Sequence, residues 1–581
     1  MRNNYQINIT FDVDIIRFMP MEPIITKKII TYKCLYPNGN ENLKDLLCGI
    51  PSASAIEQAS YMLVRKTALT IDENEHSLFY QMFPFMNKSL VLDLCSYINT
   101  HNSNEYEYID KVALHILIDN ILANHNDLTE NISDSKDLFS NFIKAYLICC
   151  DIHVSLSESS LLGISSEKEL FQTYLCESVK YNDIDFKKDY RFEMLKLCYF
   201  FQFLENDSRY SNWLNIFLQE RNLKRWDYYP NFLVTHYCSS MVNATGVTCS
   251  FELESDKYYA YHLINAMVVN TVDYKSSIDF VGVRYKPIYH KKDLRYVIMS
   301  TNFFIDKFFQ SFLFDFAKVL SKHYESTKIN GYNQLKRFVG EEFIEKHFFY
   351  EIMQSCFSTY KLYNGEKLKS FLQNGEPDFY MRKGNKIFLF EFKDVLIDST
   401  TKHSGSYSVI EKELYEQFVL STIDKYNGKI KKHPQRKGVT QLLYTIENKL
   451  SRIITELDRA DSVNGYTIYP IIVYTDRHFS IEGVNYILSN AYDAQKSNYK
   501  ISDEYQLKPL TMISLEEMTL LEDYFVQRQL ILEDLLEAYF EQDNKMPFSK
   551  LMVRTAITKG YQYKMSNRFK NLLDKMKEFD S

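Results

Sequence analysis

Apolar residues recur every three or four positions through LVLDLCSYINT, DKVALHILIDNILANH and DLFSNFIKAYLICCDI, the spacing of helices that bury one face. Residues 46–230 therefore read as a helical region. Alternation takes over elsewhere. INITFDVDIIRF and KKIITYKCLYP, separated by PMEP, predict two strands in a small β element over residues 1–45. Residues 231–330 are a mixed β/α region: GVTCSFELES and DFVGVRYKPIYH read as strands, and NFFIDKFFQSFLFDFAKVLSKHYES as a helix whose aromatic residues sit at core-facing spacing. A domain boundary is expected at 325–332, next to NGYN.

Residues 331–581 alternate element types. A helix over QLKRFVGEEFIEKHFFYEIMQ precedes two strands within 378–393, then a loop, a helix from about 439, the strand YTIYPIIVYTD, and a strand and helix in LKPLTMISLEEMTLLEDYF. That order predicts an α/β C-terminal domain, a central mixed sheet flanked by helices, preceded by a large, mainly helical N-terminal region with β elements.

Composition narrows the class. A chain of 581 residues exceeds one hydrophobic core, and 16 Gly and 12 Pro against 45 Tyr and 41 Phe favour helices over a turn-rich β architecture. The net charge of −7 excludes a protein that binds nucleic acid over its whole surface, because counterion release needs clustered Lys and Arg. Ten cysteines without a CxxC pair suggest neither a zinc site nor a disulfide framework, and the adjacent Cys149 and Cys150 read as buried thiols. The N-terminus lacks the apolar core of a signal peptide, and no run reaches the roughly 18 apolar residues of a membrane span. The expectation is a cytoplasmic protein without a membrane partner, whose N-x-S/T triplets at Asn8 and Asn243 carry no glycan.

Candidate chemistry is concentrated in GEPDFYMRKGNKIFLFEFK, residues 375–393. Lys383-Gly384-Asn385 supplies a tight reversal between two strands. Alternation puts Ile387, Leu389, Glu391 and Lys393 on one face and Phe388, Phe390 and Phe392 on the other. Charges at the end of an apolar central strand are costly without partners. A divalent cation held by Asp378, Glu391 and the Phe392 carbonyl offsets that cost, with positions left for water and a phosphate. Lys393 then stabilises phosphate charge or positions and deprotonates the attacking water.

Pro377-Asp378 followed thirteen residues on by Glu391-Phe392-Lys393 resembles the PD-(D/E)XK motif of restriction-endonuclease-like nucleases. The resemblance spans residues 333–525. It implies a Mg²⁺- or Mn²⁺-dependent endonuclease acting on DNA, less often RNA, with Asp378, Glu391 and Lys393 at the active site. The family's acid on the preceding helix, a supplementary metal ligand, matches Glu345, with Glu342 second; three apart, the two are expected on one helix face. Gln441 stands where relatives carry a glutamine near the site, although Tyr444 is three positions on where the RecB-like branch has an aromatic at four.

Between Lys393 and Gln441, residues 425–437 hold six Lys or Arg and no acid. Beside a phosphodiester site this is an electrostatic footprint for nucleic acid, with Lys431, Lys432, Arg436 and Lys437 as the candidates. DSTTKHSGSYS, residues 398–408, reads as a flexible stretch able to serve as a lid, and His403 within it is too isolated for catalysis. By analogy of architecture, the chain is expected to be an effector of restriction or anti-phage defence, with the N-terminal region sensing or binding a partner protein. A duplex cut would call for a homodimer. The alternatives are a nuclease subunit of a transposition or repair complex, and a non-catalytic nucleic-acid-binding scaffold.

Overall fold

The passage 375–393 folds as its alternation predicts, into strands Phe379–Lys383 and Lys386–Lys393 joined through Gly384, whose φ of 60° is open to glycine at no steric cost. Four further strands extend this hairpin. In chain order they are β1 (Lys361–Asn364), the hairpin strands β2 and β3, β4 (Tyr466–Tyr474), β5 (Tyr505–Leu507) and β6 (Thr511–Ser514), laid side by side as β5-β4-β3-β2-β1. β1, β2 and β3 pair antiparallel, whereas β4 is parallel to β3 from Thr467↔Lys386 to Tyr474↔Lys393. β5 and β6 follow one another along the far edge of β4. Pro509, which has no N–H for the ladder, lies in the gap between them.

The computed structural model describes residues 28–68, 75–101, 106–161, 166–186, 188–246, 248–254, 258–277, 279–423, 430–460, 465–542, 545–561 and 565–578. The chain divides into two compact units. The first comprises Met1–Leu156, Phe232–Phe304 and Gly560–Lys564. It is mainly helical, with helices Ser52–Ala68, Lys88–Thr100, Lys111–Ala123 and Tyr228–Asn243 and a small antiparallel sheet of Ser250–Glu252, Arg295–Ile298 and Ile288–Lys292. Cys149 and Cys150 are fully buried there, as their setting predicts.

The second unit comprises Ser157–Asn231, Ile305–Lys559 and Met565–Ser581 and contains the six-stranded sheet. On one face Tyr380, Ile387, Leu389, Ile468 and Ile472 pack with Val439, Leu442 and Leu443 of helix Gly438–Asn448 and with Ile410 and Leu414 of helix Tyr407–Phe418. On the other, Phe392 stacks on Phe349 at 5.2 Å and Phe388 on Tyr469 at 4.7 Å. With both faces covered, β3 and β4 are apolar nearly throughout.

Several expectations are corrected. The chain passes between units at Phe304/Ile305 rather than at 325–332, and residues 157–231, expected with the N-terminal helices, belong with the sheet. Their tie is aromatic: Phe200 and Phe203 on helix Tyr190–Asn206 meet Phe343 at 5.2 and 5.6 Å. Packing between segments so distant in sequence leaves no local signature. Among the described residues, KKIITYKCLYP gives the two-residue strand Lys28–Ile29, paired with Tyr106–Glu107, and a helical turn Tyr32–Leu35; INITFDVDIIRF and Asn8 lie outside the described residues. DFVGVRYKPIYH turns as a helix over Val281–Tyr285 before Pro287 and the strand from Ile288. Residues 398–408 are in part ordered as a helix, Ser399–Lys402, capped by Asp398. Among the described residues no helix is long and apolar enough to cross a membrane.

Candidate active site

The pairing Phe379↔Phe390 brings Asp378, one residue before β2, beside Glu391 of β3. Asp378 Oδ2 accepts the Phe392 N–H at 2.7 Å. In an extended strand the N–H and C=O of one residue point the same way, so the Phe392 carbonyl opens on the Asp378 side. Glu391 has no solvent exposure. Its Oε2 accepts from Lys393 Nζ at 3.1 Å, while its Oε1 has no hydrogen-bond partner among the described residues. Lys393 Nζ also donates to Gln441 Oε1 at 3.2 Å. Gln441 reaches it from helix Gly438–Asn448, which packs on the face that Ile387, Leu389, Glu391 and Lys393 share.

Placing acids this close and this deep perturbs all of them. Burial, then the charge of Asp378, holds the Glu391 carboxyl well above the usual range. Burial also raises Asp378, against the pull of Lys393 and of the Phe392 N–H. Burial works against the Lys393 ammonium, but Glu391 and Asp378 more than compensate and keep it protonated. The arrangement is two carboxyl groups short of positive charge, served by one fixed ammonium.

Glu345 completes the acidic group. It is partly exposed, and burial followed by the charge of Asp378 pushes its carboxyl up to about 8. Its helix is not α-helical there: Val339–Phe349 is a π-helical segment between α-helices Tyr332–Phe338 and Tyr350–Cys356. Such wide turns are rare and occur often at functional sites. The i→i+5 geometry also removes the shared face expected for Glu342 and Glu345. Glu342 instead pairs with Lys346 at 2.5 Å and does not join the cluster.

Two neighbours escaped the sequence reading. Asp394, directly after Lys393, accepts from Lys336 Nζ at 2.5 Å and from Thr475 Oγ1 at 2.5 Å. A Cβ at Gly340 would lie 3.1 Å from its Oδ2, so the glycine lets the π-helical segment close onto the end of β3. Asp394 thereby positions the segment that carries Glu345. The signal was available, since EFKD continues the charged end of a buried strand. Tyr350 is the second: its hydroxyl accepts the Gly365 N–H at 3.1 Å, and burial with the charges of Glu345 and Asp378 raises it.

Of the basic stretch, residues 425–429 lie outside the described residues and Ile430–Arg436 is a strand. Leu420–Ile423 and Ile430–Arg436 pair antiparallel as a separate two-stranded sheet. Lys431 Nζ folds back onto Ser421 Oγ at 2.8 Å. Lys432 lies on the second strand, its side chain outside the described residues. Arg436 is exposed, and Lys437 leads into the helix of Gln441. His403 takes no part in the hydrogen bonds that join Asp378, Glu391, Lys393 and Gln441.

The donor set suits a hard cation: two carboxylates, that of Glu391 with its Oε1 unpartnered, and a backbone carbonyl are all oxygen. Among the described residues, no three His, Cys, Asp or Glu side chains form a ready-made cation cage. Mg²⁺ is commonly held by one or two carboxylates with waters and substrate phosphates, which is what Asp378 and Glu391 offer. No protein-family model, curated protein or solved structure matches this chain.

Proposed function

We propose that this chain is a Mg²⁺- or Mn²⁺-dependent endonuclease of the restriction-endonuclease-like type that hydrolyses phosphodiester bonds in DNA. The observation that carries the reading is Glu391: a solvent-excluded carboxyl, one oxygen unpartnered, beside a second carboxyl and a lysine at the end of a central strand. A fold gains no stability from such a group, so a ligand of opposite charge is its rationale.

Asp378 and Glu391 would hold the cation, together with the Phe392 carbonyl. A bound Mg²⁺ supplies Lewis-acid charge and lowers the pKa of coordinated water. Lys393, kept protonated by its two acids, serves as a fixed positive charge for the phosphate in the transition state, a role its charge favours over proton abstraction. Gln441 orients the Lys393 ammonium. Glu345 tunes the acids, and Asp394 positions its helix through Lys336. We place the protein in the cytoplasm as a defence effector whose first unit engages a partner protein, and a duplex cut would join two copies.

Cleavage of plasmid, linear and single-stranded DNA and of RNA, with Mg²⁺ or Mn²⁺ against EDTA, tests this reading. Metal-dependent cutting lost in Asp378→Ala supports it; equal cutting by that variant overturns the site.

A further inference from the structure

A cleft of about 340 Å³ opens beside the candidate site, lined by Glu376, Gln435, Arg436, Gln441 and Tyr444 among others. Two of its walls lead directly to the acids and the lysine. Glu376 stands two residues before Asp378, and Gln441 holds Lys393 Nζ at 3.2 Å. The third wall is the end of the basic strand Ile430–Arg436.

The cleft contains a flat cation held in place from behind. The Arg436 guanidinium lies 4.1 Å from the centroid of the Tyr444 ring. Gly375 also lies close against Tyr444, where a Cβ would come within 2.8 Å of the ring. Arg436 itself is exposed. A guanidinium plane backed by an aromatic ring and open to solvent is a platform for a nucleobase. The edge groups are mixed: the Gln435 amide both donates and accepts, and the Glu376 carboxylate accepts from an exocyclic amine. A volume of this size stands at the small end of ligand sites and suits one nucleotide rather than a stacked duplex.

We propose that this cleft takes one unpaired nucleotide of the strand being cut, its base stacked on Arg436, so that the enzyme acts on single-stranded or locally unpaired nucleic acid. The proposal rests on the nuclease reading for the place of that nucleotide in the reaction, but its binding test does not need cleavage. A free mononucleotide has the same chemistry. The link from cleft to Lys393 through Gln441 favours a nucleotide within the substrate strand.

The test is fluorescence anisotropy in EDTA at physiological salt. Short labelled single strands of DNA and of RNA are compared with the matching duplexes, and mononucleotides at millimolar concentration serve as competitors. The proteins are wild type, Asp378→Ala, Arg436→Ala, Arg436→Lys, Tyr444→Leu and Tyr444→Phe. Single strands bind more tightly than duplexes to wild type and to Asp378→Ala. Arg436→Ala and Tyr444→Leu weaken single-strand binding by about 5- to 100-fold, the worth of one stacked base, with little effect on duplex. Arg436→Lys loses most of the same affinity, because the charge remains and the plane does not, while Tyr444→Phe keeps it.

Wild-type affinity in Arg436→Lys, equal losses for duplex and single strand, or binding of mononucleotides without binding of strands overturns the proposal. The two readings fail separately. Cutting that ignores Arg436 and Tyr444 leaves the nuclease and removes the cleft; Arg436-dependent single-strand binding by a protein that cuts nothing does the reverse.

Discussion

Glu391→Gln should stabilise the metal-free protein while removing its response to metal. Glu391 has no exposure, one unpartnered oxygen, and the Asp378 and Glu345 carboxyls as like-charged neighbours. A buried polar group left without a partner costs about 1–3 kcal/mol. The amide has nearly the same shape. It can keep its oxygen on the Lys393 ammonium, now 3.1 Å from Oε2, and turn its NH₂ toward Asp378, giving at any pH the hydrogen bond that the Glu391 carboxyl offers only while it stays protonated. The expected gain in EDTA is therefore about 1–3 kcal/mol, read as a higher urea midpoint at unchanged slope. Wild type should gain further stability with rising Mg²⁺, as any ligand of the native state confers, and the variant should not. A variant less stable than wild type in EDTA would refute the picture of a strained acid, and a wild-type Mg²⁺ response in the variant would refute its role as a ligand.

Further consequences concern the groups around it. Lys393→Ala should lower the cleavage rate by about 100- to 1,000-fold, the scale on which a fixed transition-state donor acts, in single-turnover assays at saturating metal. Lys336→Met frees Asp394, whose carboxyl lies below its usual range despite burial because Lys336 and Thr475 hold it. It should cost about 2 kcal/mol, less than a fully buried pair because Lys336 is 21% exposed and Thr475 remains, and should reduce cleavage through the displaced Glu345 helix. Asp476, beyond β4, is pushed up by burial but held down to about 2 by His478, whose Nδ1 is 2.7 Å away. A carboxyl lowered from 3.8 to about 2 contributes about 2 kcal/mol, fully present above pH 4 and lost as pH falls toward 2. Asp476→Asn should show that deficit near neutrality and little of it at or below about pH 2, in denaturant titrations across pH.

The legible parts of this molecule are those where local pattern and environment agree. Alternation fixed the faces of β3, so Glu391, Lys393 and the packing of Ile387 and Leu389 followed from sequence, and Asp378 from its place before β2. Gln441 was legible only through the resemblance, as the glutamine that relatives carry near the site; that its helix packs against that face is a finding of the structure. Glu342 failed because the π-helical turn alters which residues share a face, and no local preference announces that turn. Asp394 and Tyr350 depend on which helix closes over the strand end, a long-range contact set partly by Gly340. The strand Ile430–Arg436, with four charged residues or histidine among its seven and Pro434 inside it, has little intrinsic β preference and exists through its pairing with Leu420–Ile423. The aromatic helix Tyr190–Asn206 looked like its helical neighbours, and its partner lay some 140 residues away at Phe343.

The most direct measurement is cleavage of labelled single-stranded and plasmid DNA by purified full-length protein, with Mg²⁺ or with EDTA, for wild type, Asp378→Ala and Glu391→Gln side by side. The account predicts cutting by wild type with Mg²⁺ only, and none by either variant although Glu391→Gln is as well folded as wild type or better. Cutting by either variant at the wild-type rate, or by wild type in EDTA, would contradict it.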